Sequence, residues 1–187
     1  MSKPHFSYLY IFLLLISFSS KAQEVNLDSL WGVWNDKTQP DTNRVKAMNE
    51  IIRDGYLFSQ PDSAFYFSQL LYDFAFSVNN QKYMGIAFNT QGISFAIRAD
   101  YEKALMLYEK SLAIAIEIND KRQIRYCYNN LGILYDSKGD LNDALKYYRK
   151  SLEIADDLND KKGLIATNNN IGIIYSRQAN YKMALVH

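Results

Sequence analysis

Residue types that carry acid–base, nucleophilic or metal chemistry are almost missing from this chain of 187 residues. Its two histidines are His5 and His187, so histidine-based catalysis has no well-placed group to use. The one cysteine, Cys127, has no partner within the chain. That excludes an internal disulfide and a cysteine-rich zinc site, and leaves a small core residue as its role. Eight glycines are scattered singly, with no phosphate loop and no dinucleotide fingerprint. Charge is balanced: the formal net value is +1, and loss of Lys3 and Lys21 with a leader would bring it to −1. No basic excess invites nucleic acid or an anionic membrane surface. The acids Asp156-Asp157 are followed by Lys161 and Lys162, so they read as a solvated, mutually screened face. A secreted enzyme on a helical scaffold would need a carboxylate pair facing one cleft, and none recurs away from exposed helix ends. Neither catalytic residues nor a metal or cofactor are expected.

What the chain does hold is a leader and a repeat. Lys3 and His5 precede an apolar run from Tyr8 to Phe18, and small Ser20 and Ala22 follow it. The run is well below the roughly 20 apolar residues that span a bilayer, so residues 1–22 read as a cleaved signal peptide. No later stretch of the mature chain is long and apolar enough for a membrane span. Residues 23–41 form a polar leader with anchors Leu30, Trp31 and Trp34, which suggests a short helix before a turn at Gln39-Pro40-Asp41. From there a 40-residue period sets in. Residues 81–120 and 121–160 are two full blocks, 161–187 is an incomplete third, and 42–80 is a degenerate first block. In register, Gly92, Gly132 and Gly172 coincide, as do Phe95, Tyr135 and Tyr175, then Ala104, Ala144 and Ala184, and Tyr108 with Tyr148. A period of this length signals stacked supersecondary units. With 48% hydrophobic residues a continuous core is available.

Each block divides into two helices at Ala99-Asp100, Gly139-Asp140 and Ala179-Asn180. There Gly139 suits a left-handed C-terminal position, and Asp or Asn can cap the next helix. The spacing predicts helices over 82–98, 101–118, 122–138, 141–158 and 162–178, then a stub from Tyr181. A glycine inside a helix costs about 1 kcal/mol relative to alanine, so its return needs compensation. Close backbone approach would supply it, with Gly132 and Ala144 letting the two helices of a block pack tightly. Tyr135 and Tyr148 would fill the space between neighbours. The first block departs, with Ile52 at the glycine phase and Pro61 in the first turn of a helix.

Leu131-Gly132-Ile133-Leu134-Tyr135, Gly139-Asp140, Ala144-Leu145 and Tyr148 resemble the tetratricopeptide repeat signature in a longer, 40-residue form. The resemblance covers roughly residues 42–187. It implies an all-α fold: a right-handed α-solenoid of antiparallel helix pairs, preceded by the signal peptide. It implies no single function. Gln91 in place of leucine, and a first block without the glycine and tyrosine, are departures from the pattern.

The candidate site is amide-rich. Asn89-Thr90, Asn129-Asn130 and Asn169-Asn170 recur on the first helix of successive blocks. Asparagine is a poor helix former, and its donor and acceptor can hold an extended peptide without reading its side chains. In tetratricopeptide arrays the first helices line the concave groove. By resemblance, Asn130 and Asn170 would contact a bound peptide, with Thr90 a departure. Ile93, Ile133, Ile173, Ile97, Asp136, Ser137 and Arg177 would face the same groove, and Tyr83 or Tyr126 could be an exposed anchor. The alternative is a ladder of amides joining stacked helices without touching a ligand, and both readings stay open here. Arg177 alone is thin support for a receptor of terminal carboxylates. The expected partner is therefore a peptide or protein segment held by an exported protein, periplasmic, secreted or membrane-tethered. An uncapped last repeat could also self-associate. A second expectation is the extracytoplasmic sensory part of a signalling protein, whose histidine kinase, cyclase or DNA-binding output follows residue 187.

Overall fold

The computed structural model describes residues 26–186, so the signal peptide expected over 1–22 lies outside the described residues. Among the described residues nine α-helices follow one another and no strand occurs. They are α1 Leu27–Asn35, α2 Asp41–Glu50, α3 Pro61–Ser77, α4 Gln81–Ile97, α5 Tyr101–Glu117, α6 Lys121–Lys138, α7 Leu141–Asp157, α8 Lys161–Arg177 and α9 Tyr181–Ala184. The chain beyond α2 continues as π-helical turns over Ile51–Tyr56.

One turn joins every pair of helices from α3 onward. Asn79, Ala99, Asn119, Gly139, Asn159 and Ala179 all have positive φ, between 51° and 85°, and they recur every twentieth residue. Each is followed by Asn or Asp, whose backbone N–H bonds the carbonyl five residues back, as in Asp100 to Phe95 at 3.0 Å and Asp160 to Ala155 at 2.8 Å. Orphan carbonyls at the helix end are thereby satisfied. The same residue then accepts a backbone N–H from the next helix through its side chain. Asn80, Asp100, Asp120, Asp160 and Asn180 do this; the cap expected from Asp140 is not made. The 40-residue block is therefore two 20-residue halves that share a turn and differ in their packing faces.

Inside a block, glycine meets tyrosine. A Cβ on Gly132 would stand 2.5 Å from Cδ1 and Cε1 of Tyr148, and one on Gly92 would stand 2.6 Å from Cε1 of Tyr108. Both tyrosines are buried. The glycine makes room for the ring, and at the equivalent position a Cβ on Gly92 would also stand 3.3 Å from the Ala104 carbonyl oxygen, so close approach of the two helices accompanies the ring; Ala104 and Ala144 are themselves fully buried. Desolvation raises the Tyr108 and Tyr148 hydroxyls well above the usual phenol range. Tyr135 and Tyr175 pack in the cluster of Ala144, Leu145, Ile171 and Ile174, and Tyr135 also reaches the preceding cluster around Ala104 and Leu131. Ala184 and Met183 close on the same cluster from α9.

The first block solves the same problem with exchanged volumes. Ile52 occupies the glycine phase and fully buried Ser68 occupies the tyrosine phase, so the large and small residues trade places. The leader helix α1 covers this block. Trp31 stands edge-on to Phe67 and Trp34 to Phe74, each at 5.2 Å. Arg44 donates from Nε to the Trp34 carbonyl at 3.1 Å and lies 4.3 Å over the Phe74 ring. Between blocks, Arg98 pairs with Asp62, and Lys138 with Glu102 at 3.6 Å.

Candidate functional site

Of α4, α6 and α8, the first helices of successive blocks, α6 touches both α4 and α8 directly. Hydrogen bonds between the asparagines of successive first helices join them into one row. Asn130 donates from Nδ2 to Asn89 Oδ1 at 2.9 Å, and Asn170 donates from Nδ2 to Asn129 Oδ1 at 3.4 Å. Each bond spans 41 residues, one more than the repeat. Arg177 donates to Asp136 Oδ1 at 2.6 Å with the same spacing. The row is thus three cross-helix bonds of one spacing, two of amides and one of opposite charges.

Buried polar groups support the rungs from below. Cys127 Sγ lies 3.2 Å from Ser111 Oγ, which accepts Gln123 Nε2 at 3.1 Å. The thiol also reaches Asn89 Oδ1 at 3.9 Å. Burial pushes that thiol up to about 11, so it stays protonated and unreactive at neutral pH. One block on, Ser151 Oγ stands 3.4 Å from Thr167 Oγ1.

The remaining expected groove residues divide. Tyr126, Ile133 and Ile173 are 44%, 43% and 49% exposed and flank the rungs; Ile97 and Ser137 are exposed too. Asn169 is exposed at the last rung. Thr90 is corrected to an inward position: it is buried and its hydroxyl donates to the Ile86 carbonyl of its own helix. Ile93 is also corrected, since it packs against the clusters of Val45 and Met48 on one side and of Ala104 and Leu131 on the other. Tyr83 is half-buried against the first of these clusters. Arg177 is held by Asp136 and does not stand free for a terminal carboxylate.

Two hollows that the sequence reading missed lie at the first turns of these helices. One, of about 580 Å³, lies at the first turns of α4 and α6 and is lined by Lys82, Lys121, Arg122 and Tyr126. The other, of about 710 Å³, lies at the first turns of α6 and α8 and includes Asn129, so it joins the amide row directly. The available signal was a phase: Lys82, Arg122 and Lys162 are equivalent positions of successive blocks, and all are cationic.

The tetratricopeptide repeat family profile matches residues 83–157 and 138–187. The chain belongs to that family. No curated protein matches the sequence. Among solved structures, BtubC (BKLC) from P. vanneervenii is similar in fold, with a TM-score of 0.66 at 19% identity, over 89% of this chain and 68% of that one. MamA is similar with a TM-score of 0.56 at 19% identity, over 88% of this chain and 86% of that one. Both likenesses concern the solenoid alone. Tetratricopeptide repeats make this chain a protein–protein interaction module, and the fold is typically non-catalytic. Among the described residues no cluster of His, Cys, Asp or Glu is placed to hold a metal, and no helix is long and apolar enough to cross a membrane.

Proposed function

We propose that the protein is an exported module that holds an extended peptide or protein segment along the row of amide rungs. The observation that carries this is the unused capacity of the rungs. An asparagine side chain offers two N–H donors and two acceptor lone pairs. The Asn130–Asn89 bond takes one donor of Asn130 and one acceptor site of Asn89, and the Asn170–Asn129 bond does likewise. Among the described residues the one buried side-chain nitrogen or oxygen without a hydrogen bond is Arg125 Nε, so the unpaired Nδ2 of Asn89 and Asn129 and Oδ1 of Asn130 and Asn170 reach solvent. Every rung therefore presents a donor beside an acceptor, which is what one peptide unit requires. Ile133 and Ile173, half exposed beside the rungs, add apolar contact. The ladder and the groove are compatible: one bond locks each amide, and the locked amide is pre-organised for a second.

The test is Asn130→Ala with Asn170→Ala. Each loss of a half-exposed hydrogen bond costs about 0.5–1.5 kcal/mol, offset by the better helix propensity of alanine. Binding of a peptide retained by the wild type should therefore fall while helicity and the melting midpoint stay nearly constant. Equal binding by the double variant would remove the rungs from the mechanism. The export part of the reading rests on residues 1–22, and N-terminal sequencing of the exported protein should return Gln23 first.

A further inference from the structure

The repeat supplies its own baseline, and two residues leave it together at one seam. Position 125 is Arg where the neighbouring blocks have Gly85 and Ile165, and position 163 is Gly where they have Tyr83 and Gln123. The two departures meet: a Cβ on Gly163 would stand 3.0 Å from Cζ and Nη1 of Arg125. Arg125 is 4% exposed, yet it lines the hollow of about 710 Å³ between the first turns of α6 and α8. Its guanidinium lies 4.1 Å over the ring of Tyr126. Its Nε is 3.1 Å from Asp160 Oδ2 but forms no hydrogen bond there. Asp160 is already engaged, accepting the Gly163 N–H on Oδ1 at 3.0 Å as the cap of α8.

Around this arginine the hollow is cationic. Arg122, Lys161 and Lys162 line it and make no ion pair among the described residues, and Asp160 is its single acid. A chain of net charge +1 thus gathers four cations against one anion in one cavity that opens on Asn129. The α8 N-terminus adds its positive dipole end to the same space.

We infer that this hollow receives a carboxylate side chain of the segment held on the amide rungs, so that the ligand class is an acidic peptide. The inference rests on the groove reading and adds its charge preference. A carboxylate entering the hollow would find a planar guanidinium held by the Tyr126 face and by the space that Gly163 leaves, with flexible lysines at the rim.

The experiment uses an array of random twelve-residue peptides and the purified protein. The retained set should be enriched in Asp or Glu at one position. A retained peptide should bind about tenfold more tightly than its Glu→Gln counterpart at low salt, with the gap shrinking at high salt. Arg122→Gln with Lys162→Gln changes two exposed residues and should narrow that gap without altering the circular dichroism. Arg125→Met, once shown to fold, should abolish it. Asn130→Ala with Asn170→Ala should instead weaken acidic and neutral peptides in parallel. A retained set without acidic enrichment, or a gap that survives the arginine and lysine changes, overturns the inference and leaves the groove reading standing. Retention of no peptide at all overturns both.

Discussion

Replacing Gly132 with alanine sets helix propensity against packing. In an open helix the change is favourable by about 1 kcal/mol. Here the new Cβ would stand 2.5 Å from two ring carbons of Tyr148 and 3.0 Å from a third. That is about 1 Å inside the roughly 3.5–4.0 Å at which carbon atoms meet favourably. Tyr148 is 1% exposed, so its ring has no free space to swing into. Overpacking of this kind costs about 1–3 kcal/mol, and contact with three atoms of a rigid ring places it at the upper end. After the propensity gain, a net loss of about 1–2 kcal/mol remains. For a chain of this size it lowers the melting midpoint by roughly 2–8 °C. Gly32 is the internal control, because a Cβ there meets nothing within 4 Å; Gly32→Ala should stabilise by about 1 kcal/mol or slightly less. Urea unfolding followed by far-ultraviolet circular dichroism separates the two signs. In a Tyr148→Leu background the penalty at Gly132 should largely vanish, giving a measurable coupling energy. Equal stabilisation by Gly132→Ala and Gly32→Ala would refute the glycine–tyrosine account of the block interior.

Ala99 sits at φ +59° and Gly139 at +85° in equivalent turns. Ala99→Gly should therefore raise the urea midpoint by about 0.5–1 kcal/mol equivalent and Gly139→Ala should lower it by about 1–2; an unchanged pair would show that the turn carries no strain. Ala144 is fully buried, so Ala144→Leu should cost about 1–3 kcal/mol, and a wild-type melting midpoint would contradict the helix pairing. The Gly163 backbone N–H and then the Arg125 charge hold the Asp160 carboxyl below its ordinary value of 3.8. Its contribution is complete above that value and is lost as pH falls through the lower, folded one. The stability gap between wild type and Asp160→Asn should hense be flat near neutrality and narrow in acid, whereas a gap independent of pH would assign the cap to hydrogen bonding alone.

The helices were legible because three copies of one pattern could be compared, and their ends fall within a residue of the spacing-derived positions. The turns were legible only in part. Gly139 announced its left-handed conformation, but Ala99 and Ala179 adopt it without the residue that advertises it, since the hydrogen bonds of the turn outweigh the strain. Partners inside a block were also legible only in part, for a different reason. Spacing says that Gly132, Ala144 and Tyr148 share an interface, and the direction of each side chain adds that the Tyr148 ring lies over Gly132, just as the Tyr108 ring and the Ala104 carbonyl both lie close to Gly92. Thr90 and Ile93 were placed by analogy with Asn130 and Ile133. The register is the same, but in α4 Ile93 is packed between two clusters, so equal phase did not bring equal exposure. Ile52 with Ser68 could have been recognised as an exchange of volumes, because both positions of the pair change at once.

The seam between α6 and α8 is where stacking fails to explain the residues. Asn80 and Asp120 cap their helices as Asp160 does, and they do so with no buried arginine beside them. The cap of α8 therefore does not require Arg125. Nor does packing require it, since Gly85 and Ile165 stand at the same phase in the flanking blocks. Desolvating a guanidinium costs several kcal/mol, which an ion pair only partly recovers. Here the recovery is incomplete, because Nε has no hydrogen bond while the carboxylate opposite is shared with the helix cap. A glycine at 163, in the first turn of α8, adds a further cost in helix propensity of up to about 1 kcal/mol and leaves room for that side chain. Two coupled departures that each cost stability at one seam, beside a cavity joined to the amide row, are what a site for an external carboxylate would require.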